Sequence, residues 1–214
     1  MPLVLQARGI SKRYAATLRG HSARQALHPL DLDLQAGEGI ALLGPNGAGK
    51  STLLRLLGGI FAPSTGWVAA ATRPEMVLEL GAWKMGEFSG WEHAELAWAL
   101  KGLPLAQRPR ALEELADFTG LGAVIHEPLR TYSAGMALRL SFAIATWRRP
   151  EVLLIDETIS VGDEEFRSRC NQRLRGFMDQ GTGLVFATHD LGQARQWCGR
   201  CYHLNAGQAT EGGL

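Results

Sequence analysis

One run of residues carries the clearest chemical signature of the chain, Gly44-Pro45-Asn46-Gly47-Ala48-Gly49-Lys50-Ser51-Thr52. It follows an apolar run over 39–43 and precedes a helix-like run over 53–57. Successive glycines let backbone N–H groups converge on a phosphate, and a helix beginning near Ser51 points its positive dipole end at the same oxygens. Lys50 would reach the β- and γ-phosphates, and the Ser51 hydroxyl would bind Mg²⁺. The pattern predicts a phosphate loop that binds a nucleoside triphosphate.

Two adjacent carboxylates, Asp156 and Glu157, end a second apolar run, over 152–155. Asp156 would hold Mg²⁺, usually through water, and Glu157 would polarise the water that attacks the γ-phosphate. Taken alone, such a pair more often marks the end of a strand. Its place downstream of a phosphate loop favours the hydrolytic interpretation.

A turn of small residues opens the third candidate element, Tyr132-Ser133-Ala134-Gly135-Met136. Ser133 is well placed as a helix N-cap, which alone is a sufficient structural explanation. Alternatively, the Ser133 hydroxyl and the Gly135 N–H form a second anion site at an exposed helix start. Because the phosphate loop already holds one face of a nucleotide, this site would serve a nucleotide on another subunit.

Bulk properties exclude several classes of protein. Among 214 residues, 22 Lys and Arg balance 21 Asp and Glu, so nucleic acid is not expected as the main partner. Three cysteines favour a reducing compartment, and the pair Cys198 and Cys201, with His203 nearby, lacks the second pair that a zinc site needs. No signal peptide or apolar run of about 20 residues is present, so we expect any membrane role to come through a partner.

The elements that must position these residues indicate an α/β fold. Short apolar runs lie over 3–5, 40–43, 152–155 and 184–187, and the last three are dense enough for strands buried on both faces, which predicts a mostly parallel sheet. The long section between the runs at 40–43 and 152–155 predicts helices over 91–101, 106–118 and 134–147. We therefore expect one domain over 1–214, divided into an α/β core (about 1–85 and 150–214) and an inserted helical subdomain (about 86–149). The last strand is expected at 202–204, with no additional C-terminal domain.

The order of these motifs, followed by Ala187-Thr188-His189-Asp190, resembles the ATP-binding subunit of an ABC transporter over nearly the whole chain. The Tyr132 to Met136 run and Ile155-Asp156-Glu157-Thr158-Ile159-Ser160-Val161-Gly162-Asp163-Glu164-Glu165-Phe166 resemble the branch that exports capsular polysaccharide, O-antigen and teichoic acid. The resemblance implies the ABC ATPase fold, a phosphate-loop core with an added N-terminal antiparallel β subdomain.

The resemblance also implies roles for individual residues. Tyr14 would stack on adenine, and His189 would contact the γ-phosphate or the attacking water. Ser133 and Gly135 would touch the γ-phosphate bound by a partner subunit, and Asp163 would lie in a turn that crosses the dimer interface. Two copies would then sandwich two ATP molecules with Mg²⁺, and Lys50, Glu157 and His189 would be catalytic.

The chain departs from the family pattern in one segment. The glutamine that usually meets Mg²⁺ should fall near Leu80, so either Glu79 substitutes for it or the contact is absent. Trp83, Phe88 and Trp91 follow directly. These aromatic residues predict a docking groove for a permease helix, although packing within the helical section explains them as well.

The resemblance implies an ATP hydrolase that powers polysaccharide export through separate integral membrane permease subunits of the ABC-2 type. It would be peripheral, on the cytoplasmic face of the membrane, with the cargo contacted mainly by the permease. The short stretch after the last expected strand favours a capsular cargo. Alternatives are a drug or lipid exporter, a soluble ABC protein acting on ribosomes or DNA, and a phosphate-loop kinase, which would need neither Glu157 nor the second anion site.

Overall fold

A computed structural model describes residues 1–15, 22–77, 86–156 and 163–214 of the chain. The strands are β1 (Leu3–Tyr14), β2 (Arg24–Gln35), β3 (Gly39–Leu43), β4 (Thr65–Ala70), β5 (Glu75–Val77), β6 (Val152–Ile155), β7 (Gly183–Thr188), β8 (Arg200–Asn205) and β9 (Gln208–Gly213). The α-helices are α1 (Lys50–Leu57), α2 (Gly90–Leu100), α3 (Arg108–Thr119), α4 (Ala134–Ala145), α5 (Glu164–Asp179) and α6 (Leu191–Trp197). Short 3₁₀ turns cover Leu105–Gln107, Gly122–His126 and Leu129–Thr131.

A six-stranded sheet in the order β5-β6-β7-β3-β8-β9 carries the phosphate loop. Its strands β6, β7, β3 and β8 are parallel, and β8 pairs with β9 in the antiparallel sense. Strands β3, β6 and β7 are buried throughout, as expected for continuous apolar runs in a sheet covered on both faces. The prediction of a mostly parallel sheet is confirmed.

Strand β9 corrects the expectation that the last strand is 202–204. It follows β8 after the tight turn at Ala206 and Gly207, and it pairs along its whole length, from Asn205↔Gln208 to Arg200↔Gly213. The sequence of β9, Gln-Ala-Thr-Glu-Gly-Gly, has no apolar alternation, because this edge strand is largely exposed. Its position is therefore set by the turn and by pairing with β8.

A second sheet, in the order β2-β1-β4, is antiparallel and confirms the expected N-terminal β subdomain. Its apolar side chains join those of β3 and α1 in one hydrophobic core, which includes Leu5, Leu34, Leu42 and Leu53. Burial of these leucines fixes the strand that leads into the phosphate loop. Apart from Val77 of β5, the two sheets and α1 belong to one compact unit, whose described residues are 1–15, 22–76, 150–156 and 176–214.

The helical section forms a second compact unit, whose described residues are Val77, 86–149 and 163–175. Helices α2, α3 and α4 lie close to the predicted helices; α4 ends earlier, at Ala145, where the Thr146 hydroxyl donates to the Phe142 carbonyl at 2.6 Å. Residues 163–175, which we expected in the α/β core, group with the helices. The reason is that Phe166 of α5 packs edge-on against Phe118 and Phe142.

The helical unit has its own core and its own helix caps. Phe142 is 1% exposed and stacks on Phe118, with ring centroids 5.9 Å apart. The Arg173 guanidinium lies 3.4 Å from the Phe118 centroid, a cation–π contact. Helix α2 begins with a reciprocal capping box between Ser89 and Glu92. In the described part of the chain, no helix is long and apolar enough to span a membrane.

Candidate nucleotide-binding site

The phosphate loop joins the end of β3 to the start of α1, as the sequence predicts. At Gly49 the backbone has φ +113°, and a Cβ atom there would lie 2.8 Å from the Ala26 carbonyl oxygen. Only glycine fits this position without a shift of the loop. Helix α1 has no acidic residue in its first turn and no side-chain cap, so its first N–H groups face the space where an anion would bind.

Lys50 is folded back onto the loop. Its Nζ donates to the carbonyl oxygens of Gly44, at 2.6 Å, and Pro45, at 3.3 Å, and the residue is 6% exposed. These contacts hold the ammonium group inside the curve of the loop. A bound phosphate could take over some of these hydrogen bonds at little cost, because carbonyl and phosphate oxygens are both acceptors.

Ser51 and Asp156 meet beside the loop. The Ser51 hydroxyl donates to Asp156 Oδ2 at 2.7 Å, linking residues far apart in the sequence. The contact forms because β3 and β6 both flank β7 in the parallel sheet, so their carboxyl ends lie at one edge. A hydroxyl and a carboxylate oxygen are the ligands that Mg²⁺ prefers, and the pair therefore fits that cation. Glu157 lies outside the described residues, so its predicted role as the base stays a prediction.

His189 directly follows β7 and is exposed. Since Thr188 pairs with Leu43 of β3, this histidine emerges at the same sheet edge as the phosphate loop. It does not contribute to the wall of the pocket at the loop. The next residue, Asp190, caps α6 by accepting from the N–H groups of Gly192 and Gln193. The geometry leaves the role of His189 as a prediction.

A single open pocket gathers most of the predicted residues of the first unit. Its wall comprises Tyr14, Arg24, Ala26, Pro45, Asn46, Gly47, Gly49, Lys50, Ser51, Thr52 and Asp156. Gly44 and Ala48 belong to the loop but do not contribute to this wall. Tyr14, at the end of β1, is 38% exposed and lies edge-on to Phe61, with centroids 6.3 Å apart. An exposed aromatic ring in the pocket wall is suited to stacking on a base.

The β8–β9 turn supports the phosphate loop, and the sequence did not predict this contact. The Gly207 N–H donates to the Ala48 carbonyl at 3.0 Å, and the Gly207 carbonyl accepts from His28 N–H at 2.8 Å. Gly207 has φ +82°, and a Cβ there would lie 2.9 Å from the Ala26 carbonyl oxygen. The β8–β9 turn thus holds both the loop and the pocket wall. The Asn-Ala-Gly run at 205–207 signals a turn, but nothing in it indicates this contact.

The second predicted anion site begins α4 in the helical unit. Ser133 caps the helix, and its Oγ accepts from Met136 N–H at 3.2 Å. Ser133 is exposed, Gly135 is half-buried, and the first turn carries no acidic residue. The helix start is therefore open to an anion from outside this chain, and the N-cap interpretation holds in the same geometry.

Asp163 lies at the start of α5, where two groups hold it. Its Oδ1 accepts from the Phe166 N–H at 2.9 Å, and its Oδ2 accepts from Arg139 Nη2 at 2.7 Å. The backbone hydrogen bond, followed by the Arg139 contact, keeps the pKa of Asp163 below its ordinary value. Arg139 also donates to the Thr119 carbonyl at 3.1 Å, so this guanidinium of α4 ties the start of α5 to the end of α3.

The aromatic residues proposed for docking have different environments. Trp91 packs against the core of the helical unit and lies 5.2 Å from the His126 ring centroid. Phe88 is 40% exposed. The position of Trp91 favours packing within the helical unit, and the exposure of Phe88 favours docking. Trp83, Glu79 and Leu80 lie outside the described residues.

The cysteine pair lies at the end of α6 and in β8. Cys198 and Cys201 are buried free thiols, and burial raises the pKa of Cys198 to about 12. Cys201 Sγ lies 3.3 Å from His203 Nε2. Within the described residues, no cluster of three or more His, Cys, Asp or Glu side chains could hold a metal ion. These cysteines are structural groups of the core.

A parallel sheet, a glycine-rich loop that opens a helix, and a serine–aspartate pair beside it define a phosphate-loop nucleoside triphosphatase. A family model described as ABC transporter matches residues 27–160. This chain belongs to the ABC transporter family and carries its ATP-binding and ATP-hydrolysing domain.

Several characterised relatives share this domain. The chain is 38% identical over 189 residues to the O-antigen export system ATP-binding protein RfbB of Myxococcus xanthus, covering 88% of this chain and 43% of that protein. It is 39% identical to the O-antigen export system ATP-binding protein RfbE of Yersinia enterocolitica, covering 87% and 78%. It is 33% identical to the teichoic acids export ATP-binding protein TagH of Bacillus anthracis, covering 88% and 34%. The chain thus spans less than half the length of the Myxococcus and Bacillus relatives.

Among solved structures, the fold matches that of an ATP binding subunit of an ABC transporter. The TM-score is 0.83 and the identity is 25%, with 99% of this chain and 90% of that chain covered. The predicted ABC ATPase fold is therefore confirmed.

Proposed function

We propose that this chain is the ATPase subunit of an exporter, and that it powers the movement of a polysaccharide across the cytoplasmic membrane through a separate permease. The observation that carries the proposal is the phosphate loop with its Ser51–Asp156 contact, in a chain similar to O-antigen and teichoic acid export proteins. A capsular cargo stays a prediction, since those relatives are named for other polysaccharides.

Within one subunit, the residues of the first unit bind and orient ATP. Tyr14 stacks on the base, the N–H groups of the loop hold the β-phosphate, and Lys50 reaches the terminal phosphates. Ser51 and Asp156 would hold Mg²⁺, which neutralises the charge on the phosphate oxygens when bound. Glu157 and His189 orient and deprotonate the attacking water. Phosphoryl transfer depends mainly on such positioning and charge stabilisation.

One copy supplies only part of the shell around the γ-phosphate. In the proposed dimer, Ser133 and Gly135 of the partner close over that phosphate with the positive end of α4. Asp163 lies in the segment that crosses between the two subunits. Hydrolysis removes the γ-phosphate that both subunits contact, and the dimer opens.

The link to the membrane runs through a permease on its cytoplasmic side. We place the docking surface around Trp83, Phe88 and the start of α2, where an exposed phenylalanine is available to a helix of the partner. The cargo contacts the permease. The ATPase subunit contributes the closing and opening of the dimer.

The first test uses Glu157→Gln. We expect this variant to bind ATP, to hydrolyse it very slowly and to accumulate as an ATP-bound dimer on a sizing column, while the wild-type chain hydrolyses ATP without any added acceptor. Near-normal turnover in the variant would remove Glu157 as the base. Hydrolysis that required a small-molecule acceptor would instead favour a kinase.

The dimer is tested with two matched N-cap variants of the helical unit. Ser133→Ala and Ser89→Ala each remove an N-cap hydrogen bond of 3.2 Å and should each lower stability by about 1 kcal/mol. Only Ser133→Ala should also prevent the trapped dimer in the Glu157→Gln background. Equal dimer formation by the two variants would contradict the role of Ser133 in the partner's site.

The docking surface is tested by Trp83→Ala and Phe88→Ala, with Leu105→Ala as the control. Leu105 is also exposed and lies elsewhere in the helical unit. The first two variants should keep ATPase activity and lose co-purification with a multi-span membrane protein encoded beside this chain. Intact assembly and transport in both would show that the docking surface lies elsewhere.

A further inference from the structure

Arg24 is a charged residue of the pocket wall that belongs to none of the motifs. It is the first residue of β2 and pairs directly with Tyr14 of β1 in the antiparallel register. Directly opposed residues of an antiparallel pair project from the same face of the sheet. Both side chains accordingly line the pocket at the phosphate loop. A cation therefore lies beside the aromatic ring that faces the pocket.

The Arg24 guanidinium also touches the phosphate loop. Its Nη2 donates to the Gly47 carbonyl at 3.3 Å, a long hydrogen bond at an exposed position. In the part of the chain that the structure describes, no carboxylate forms an ion pair with it. Its weak bond to a carbonyl oxygen can be exchanged for a stronger bond to a phosphate oxygen, because bonds between two charged groups are shorter and stronger.

The roles proposed for the other pocket residues indicate which phosphate is involved. In the proposed function, Ser51, Asp156 and Lys50 contact the terminal phosphates or their Mg²⁺, and Tyr14 contacts the base. The α-phosphate joins the nucleoside to the β- and γ-phosphates. The Arg24 guanidinium, which lines the pocket next to Tyr14, therefore faces the α-phosphate. We propose that Arg24 is a second cation of the nucleotide site and binds the α-phosphate. This inference rests on the proposed binding of ATP at the loop.

Arg24→Ala tests the inference, with Arg13→Ala as the matched control. Arg13 is exposed, lies next to Tyr14 on the paired strand and is not part of the pocket wall, and its loss changes the net charge equally. Affinities for ATP and ADP should both fall about tenfold in Arg24→Ala, as expected for one charge-assisted hydrogen bond at an exposed site. Arg24→Lys should retain part of the affinity. Thermal unfolding of both alanine variants should match that of the wild type.

Competition by adenosine separates the possible outcomes. Adenosine has no phosphate, so its affinity should be the same in Arg24→Ala and in the wild type. A parallel loss of adenosine affinity would place Arg24 on the base or sugar and overturn the assignment to the α-phosphate. Equal ATP affinity in Arg24→Ala and Arg13→Ala would overturn the role of Arg24 and leave the proposed function intact. A wild-type chain that bound no ATP would instead overturn the proposed function.

Discussion

Gly207→Ala should impair ATP hydrolysis although Gly207 lies outside every nucleotide-binding motif. The new Cβ would lie 2.9 Å from the Ala26 carbonyl oxygen, whereas ordinary contacts begin at 3.4 Å, so the turn or the pocket wall must move by about half an ångström. Gly207 also donates to Ala48, so the displacement reaches the phosphate loop. Since misplacement by about 1 Å can cost a hundredfold in rate, we expect kcat/KM for ATP to fall about tenfold.

The stability cost of this variant is separable from its effect on the site. Alanine in the left-handed region costs about 1–2 kcal/mol, and the overpacking adds about 1–3 kcal/mol, less than the stability of a typical domain. Gly59→Ala is the matched control, because Gly59 has φ +68° and its Cβ would meet nothing within 4 Å. It should lower the melting temperature and leave kcat/KM unchanged. Equal kcat/KM for the two variants, measured at a temperature where both are folded, would refute the coupling between the turn and the loop.

Two further predictions concern the helical unit. Phe142→Ala should lower the free energy of unfolding by about 3–5 kcal/mol in urea titrations, because a 1%-exposed ring between two other aromatic rings is lost. Phe142→Leu should lower it clearly less. Equal losses in the two variants would show that the cavity left by the alanine collapses. For Asp163, whose pKa is lowered in the folded state, the stabilisation is present above the unfolded pKa of about 4 and is lost as pH falls through the folded value. The stability difference between wild type and Asp163→Asn should therefore shrink in acid unfolding below about pH 4, and a constant difference would contradict it.

The sequence allowed prediction of the elements that carry their own local signal. The phosphate loop is specified by glycines between an apolar strand and a helix, and β3, β6 and β7 are continuous apolar runs. Ser133 caps its helix as predicted because N-cap preference is a local property. The contact between Ser51 and Asp156 could be expected from the order of motifs, because parallel strands end at one edge of the sheet.

The features that the sequence did not predict depend on contacts between segments distant in the chain. Arg24 enters the pocket only through the register of β2 against Tyr14, and Gly207 reaches the loop only because β9 turns back along β8. A one-residue shift of register would turn Arg24 to the other face of the sheet, and no pattern in β2 excludes that shift. The grouping of residues 163–175 with the helical unit has the same origin, since the sequence shows Phe166 as an ordinary apolar residue and does not show its aromatic partners.

Strand β3 is hydrogen-bonded on both sides, to β7 and to β8, and all five of its residues are buried. Its amide protons should exchange with solvent only when the first unit unfolds as a whole. In the loop that follows it, Pro45, Asn46 and Gly47 are exposed, and local motion of exposed residues is inexpensive. Nucleotide can therefore enter and leave through local motion of the phosphate loop while strand β3 stays folded. Repeated turnover then does not require the sheet to open.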